Sequence, residues 1–218
     1  MKKFIQISKL KRLFIILFLL FFYILISAFF YVDAVSSDIA DSVFRLHVIA
    51  NSDSKEDQEL KYKVRDKVLE YMNTISKNCT SKEDVINLAQ THQEEFKNIA
   101  KKVIEENGYN YDVNIYIGKY DFPTKKYGDI SFPAGNYDCL RIAIGESKGQ
   151  NWWCVMFPPL CFVDVTSGVV PEDSKSLLQN NLTDEEYSII NDNHTSDIQI
   201  KFGLIEFFNN IKNSNNIK

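Results

Sequence analysis

The chain has 218 residues, 45% hydrophobic, 25% charged and 13% aromatic, a balance that suits a globular domain and excludes wholesale disorder. Its formal charge of −4 is uneven: residues 1–34 hold five Lys and Arg and one acid, leaving 20 of the 25 bases and 28 of the 29 acids, close to −8, in the remainder. So acidic a remainder repels phosphate backbones and anionic lipid, which argues against nucleic-acid binding.

Lys2, Lys3, Lys9, Lys11 and Arg12 mark residues 1–12 as a basic flank. Over 13–32 the chain is apolar apart from Ser27 and two tyrosines. A helix of that length reaches about 30 Å, the thickness of a bilayer's hydrocarbon core. The basic flank stays cytoplasmic, so residue 33 onward is expected outside. Ala28 and Ala34 each end a triplet suited to signal cleavage, whereas the length of the run favours a retained anchor; the residues leave both open. Residues 33–41 read as a short polar stalk, 42–212 as a single extracytoplasmic domain, and 213–218 as a tail.

Ser42 to Ala50 alternates and is rich in β-branched residues, which predicts a strand. Asn51-Ser-Asp-Ser54 stops it, and Asp53 with Glu56 has capping-box spacing for a helix to about Met72. Leu60, Val64, Val68 and Met72 form its apolar stripe, and Glu59 with Lys63 an i,i+4 pair on the other face. Ser81 opens a second helix to about Asn107, with Gly108 as its stop, and the two helices are expected to form a hairpin packed on a sheet. Strands follow over 111–118, 120–126, 137–145 and 152–157, with the turn at Gly145–Gly149 suited to join the last two as a hairpin. Beyond Pro171 the chain turns helical, Thr183 and Glu186 again having capping-box spacing. A short strand over Ile198–Phe202 and a terminal helix over Leu204–Ile211 complete the pattern. The fold class is α+β: an antiparallel or mixed sheet against a long helical hairpin, preceded by one transmembrane or signal helix.

Candidate chemistry is sparse. His47, with Asp53 nearby in sequence, reads either as a general base or as a hydrogen-bonded histidine fixing a strand end. His92 falls on an apolar helix face and His194 in a polar turn; no HExxH or HxH spacing, nucleophile elbow or phosphate loop occurs, so no metal or cofactor is expected. Cys154 and Cys161 flank a segment that must bend at Pro158 and Pro159, which makes them the easiest of the four cysteines to bridge, with free thiols as the alternative. Trp152 and Trp153 are adjacent and point to opposite faces of a strand. Beside Phe157, Pro158 and Pro159 they read either as an interface or as aromatics bracing the sheet.

Three stretches together resemble the stage II sporulation protein R family. They are Arg45-Leu-His-Val-Ile-Ala-Asn-Ser-Asp53 with Val64-Arg65-Asp66, Phe132-Pro-Ala-Gly135 leading to Leu140-Arg141, and Gly149-Gln-Asn-Trp-Trp-Cys-Val-Met-Phe-Pro-Pro-Leu-Cys161. Ile200-Lys-Phe202 and Ile205-Glu206 resemble the family's C-terminal end, so the likeness runs over about 43–208. It does not extend a disulfide to Cys79 or Cys139. The resemblance implies a non-enzymatic signalling protein, exported into the space between forespore and mother-cell membranes. There it would activate a membrane-bound aspartic protease that processes the sigma-E precursor. On this reading Trp152, Trp153, Phe157, Pro158 and Pro159 supply the contact surface. Arg45, His47, Asn51, Asp53 and Arg65 form a second polar patch, open either to the partner or to ordering the fold. The alternatives are an exported cell-wall hydrolase using His47 and Asp53, or a structural membrane-tethered domain.

Overall fold

The computed structural model describes residues 2–161 and 169–191. In chain order the elements are α1 (Lys2–Asp41), β1 (Phe44–Ile49), α2 (Lys55–Ile75), α3 (Lys82–Thr91), α4 (Gln93–Glu106), β2 (Val113–Phe122), β3 (Lys125–Tyr127), β4 (Ile130–Phe132), β5 (Gly135–Ile144), β6 (Asn151–Phe157), α5 (Glu172–Asn181) and α6 (Asp184–Ile190). The strand and helix expected over 198–211 lie outside the described residues.

From Leu10 to Tyr31 helix α1 exposes nearly all of its large apolar side chains, and it is long and apolar enough to cross a membrane. It does not end in a stalk. The helix continues through residues 33–41, a segment without Gly or Pro, and buries Ser36, Ile39 and Ala40 against the domain. Val35 and Ile39 stand one turn apart on the packed side, so this segment has an apolar stripe of its own.

Four strands form a mixed sheet in the order β2-β5-β1-β6. All six residues of β1 are buried, because it lies centrally with both faces covered. It runs parallel to β5 and antiparallel to β6. The expected hairpin between β5 and β6 therefore does not form: β1, buried on both faces, takes the place between them. The turn at Gly145–Gly149 crosses the end of β1 instead, where Lys148 N donates to Asn51 O (3.1 Å) and Gly149 N to Ala50 O (3.0 Å).

Phe44, Leu46 and Val48 point to one face of the sheet, where they meet Leu60, Val64, Val68 and Met72 of α2 and Phe96, Ala100 and Ile104 of α4. Ser54, rather than Asp53, caps α2, its Oγ accepting from Asp57 N at 3.2 Å. Glu59 pairs with Lys55 (3.7 Å) while Lys63 reaches Asn107, so the expected Glu59–Lys63 pair is absent. The second arm of the hairpin is two helices, not one. The chain breaks at His92, whose Nδ1 lies 2.7 Å from Tyr71 Oη on α2. That break lets α3 pack against β1 while α4 packs against α2 and β2. Gly108 ends α4 at φ +82°.

The other sheet face is covered in part by the end of α1, the β3–β4 ribbon, α5 and α6, around Tyr137, Phe132, Val155, Leu178 and Ile190. Thr183 and Glu186 form the expected capping box, with Glu186 N donating to Thr183 Oγ1 (3.3 Å) and Thr183 N to Glu186 Oε2 (2.7 Å). Cys154 and Cys161 are joined by a disulfide; Cys79 and Cys139 are free.

Candidate interaction surface

The turn after β1 holds two loops together. Asn51 Nδ2 donates to Asp57 Oδ2 (2.9 Å), and its Oδ1 accepts from Glu146 N (2.9 Å). Asp53 Oδ1 accepts from Gln150 N (2.8 Å), and Gln58 Nε2 donates to Ser52 O (2.8 Å). Lys61 Nζ donates to Gln150 O (3.0 Å) and to Gln58 Oε1 (2.6 Å). Burial pushes the Asp57 carboxyl up, but hydrogen bonds from Ser52, Asn51 and Tyr111 outweigh it and hold the group below its ordinary value. Asn51 and Asp53 thus tie the β1–α2 turn to the β5–β6 turn.

Two glycines make that tie possible. A Cβ on Gly149 would sit 2.1 Å from Ser52 O, and one on Gly145 would sit 2.2 Å from Asn51 Oδ1 at a backbone φ of +55°.

Arg45 and His47 leave β1 on the face away from α2. Arg45 is fully buried: its guanidinium carbon stands 4.2 Å from the centre of the Phe122 ring and 4.6 Å from that of Tyr137, and Nη2 donates to Tyr127 Oη (2.8 Å). His47 is buried as well, with Nε2 2.7 Å from Asn151 Oδ1 and its ring stacked on Trp153. Burial, aided by the charge of Arg141, brings its pKa down to about 4 against the hydrogen bond it donates to Asn151 Oδ1, which opposes the change. The imidazole is therefore neutral at pH 7. His47 and Asp53 do not form a dyad: the first bonds Asn151 on one side of the sheet, and the second is engaged by Gln150 at the mouth of α2.

Trp152 and Trp153 point to opposite faces. Trp153 meets His47 and Phe122, whereas Trp152, half-buried, meets α2. There the Tyr62 ring contacts it edge-on at 5.5 Å, and the Arg65 guanidinium lies 4.2 Å from its centre. Tyr62 is exposed, so Tyr62, Arg65 and Trp152 present a joint aromatic and cationic surface. Phe157 and Pro158, expected at the contact surface, are buried, as the end of β6 runs into the core; Pro159 is exposed. Sequence reasoning missed Tyr62 as a surface partner of Trp152. Its position three residues before Arg65 on a helix was the available signal.

A family model described as Stage II sporulation protein R (spore_II_R) matches residues 40–167. The chain belongs to the stage II sporulation protein R family. The Stage II sporulation protein R of Bacillus subtilis (strain 168) is 43% identical over 130 residues, which cover 60% of this chain and 58% of that protein. The chain thus matches less than two thirds of that relative's length. No solved structure gives a significant match. The family match takes in β1, the tie at Asn51, both tryptophans and the Cys154–Cys161 bridge, and it begins at the last turn of α1.

Proposed function

We propose that this protein is an exported signal of sporulation, working without catalysis of its own. Its folded domain stands in the space between forespore and mother-cell membranes, held there or delivered by α1. It binds the extracytoplasmic part of a mother-cell membrane aspartic protease and thereby promotes processing of the sigma-E precursor. Family membership over residues 40–167 carries this reading. The Tyr62–Arg65–Trp152 cluster, open to solvent at Tyr62, supplies a contact surface of the composition that dominates protein interfaces, an aromatic pair with an arginine. The domain favours the active protease only by binding that arrangement more tightly than the inactive one.

The test is co-expression of the full chain, and separately of residues 34–218 behind a cleavable signal, with the protease and precursor in a non-sporulating host. Cleavage that depends on the added chain supports the reading, and cleavage with the second form alone makes the signal diffusible. No cleavage with either folded, exported form overturns it. Trp152→Ala is expected to abolish or strongly reduce cleavage while leaving the domain folded. Unchanged cleavage would remove this surface from the interface.

A further inference from the structure

The face of the sheet away from α2 carries two arginines and a neutral histidine, and among the described residues no carboxylate balances the arginines. Arg45 and His47 of β1 and Arg141 of β5 project from it, His47 and Arg141 standing opposite each other in the strand register. Among the described residues neither guanidinium has a carboxylate partner. Arg45 Nε and Nη1, Arg141 Nε and His47 Nδ1 are all buried without a hydrogen bond. A buried polar atom left unbonded costs on the order of 1–3 kcal/mol, and an uncompensated buried cation more. Aromatic rings offset this for Arg45, which is enclosed. Arg141 is half-buried, covered on one side by the Tyr120 ring at 5.0 Å, and its cross-strand neighbour Tyr116 is 46% exposed. The charge therefore stands at a reachable place, one strand from His47.

We propose that Arg141, backed by the charge of Arg45 and flanked by Tyr116 and Tyr120, is a receptor for one carboxylate, presented by an acidic side chain of a protein partner. A guanidinium fits a planar carboxylate through paired N–H donors. The domain's own excess of acids opposes a polyanion such as a phosphate-dense surface, but admits a single carboxylate at a local cation. Tyrosine and arginine together at a reachable place have the make-up of a protein contact. This assignment rests on the reading that the domain docks on a protein, and it names a second surface for that docking, across the sheet from Trp152.

The experiment uses the full chain in detergent micelles with isotope-labelled histidine rings, so that failure of protease activation and failure of carboxylate binding are read separately. The probes are sodium acetate and a short peptide with one glutamate between aliphatic residues, each against chloride at equal ionic strength. His47 ring signals are expected to move saturably with both probes, and at roughly tenfold lower concentration with the peptide. Arg141→Gln should remove the response, and Arg141→Lys should weaken it while keeping the charge; His92 signals, on the far side of the sheet, should stay put. A response no different from chloride, or one that survives Arg141→Gln, overturns the site. Acetate binding as tightly as the peptide overturns the protein side chain as its occupant.

Discussion

The Trp153 indole lies flat on the His47 imidazole, ring centres 3.6 Å apart and planes 19° from parallel. Stacking of this kind removes water from one whole face of the imidazole, and burial is the main reason its pKa falls to about 4. Trp153→Ala is expected to bring the pKa back up toward 6.5. A proton titration of the His47 ring signals by NMR checks this, and an unmoved pKa would deny the indole that role.

The same histidine makes stability depend on pH. Its folded pKa lies below its unfolded value of 6.5, so the unfolded chain binds more protons between the two. His47 burial is therefore fully tolerated above pH 6.5, and stability falls as pH drops from there toward 4, by on the order of 2 kcal/mol. Urea unfolding across that range should show the slope, and His47→Gln should flatten it.

Gly149 admits no side chain. Ala there would drive its Cβ into Ser52 O, a backbone atom fixed by the hydrogen bond from Gln58. We expect Gly149→Ala to lose roughly 2–4 kcal/mol of stability. Thermal unfolding compared with the exposed-site control Lys148→Ala measures it.

Asn51 and Asp53 should differ. Asn51, half-buried, leaves Glu146 N without its partner when truncated and takes one of several hydrogen bonds from the Asp57 carboxylate, so Asn51→Ala is expected to cost about 1–3 kcal/mol. Asp53 is exposed and holds one backbone N–H, so Asp53→Ala should cost about 1 kcal/mol or less. Denaturant titrations of both variants give the comparison; equal losses would contradict the unequal roles assigned here.

Reduction of the Cys154–Cys161 bond frees a loop of seven residues' separation. In the chain-entropy account that costs about 2–3 kcal/mol. Melting with and without reductant, and of a Cys154→Ser/Cys161→Ser double variant, tests the figure.

The periodic segments were readable because their burial is one-sided. The stripe from Leu60 to Met72 and the capping box at Thr183 depend only on residues within a turn or two of each other, and the structure reproduces both. Pairing across the sheet was not readable. Gly145–Gly149 has the composition of a hairpin turn, yet which strand lies beside β6 is decided by the need of β1 to be covered on both edges. The break at His92 depends on Tyr71, twenty-one residues away, and no local pattern announces it. For the site, the opposed directions of Trp152 and Trp153 follow from strand geometry alone. The burial of Phe157 and Pro158 does not, because Phe-Pro-Pro looks the same at a surface and at the end of a core strand.

Helix α1 has no joint between its apolar stretch and the point where it enters the domain. From residue 32 to the buried Ser36 is only about 6 Å of helix rise. Were the helix kept as a membrane anchor, the domain would sit against that bilayer with little freedom to swing, and its reach from the surface would be set by its own dimensions. Cleavage at Ala34 would leave that packed turn in place and release a body that diffuses. Whether one cut is made therefore decides between a domain held close to the surface its helix enters and a body free to move away from it.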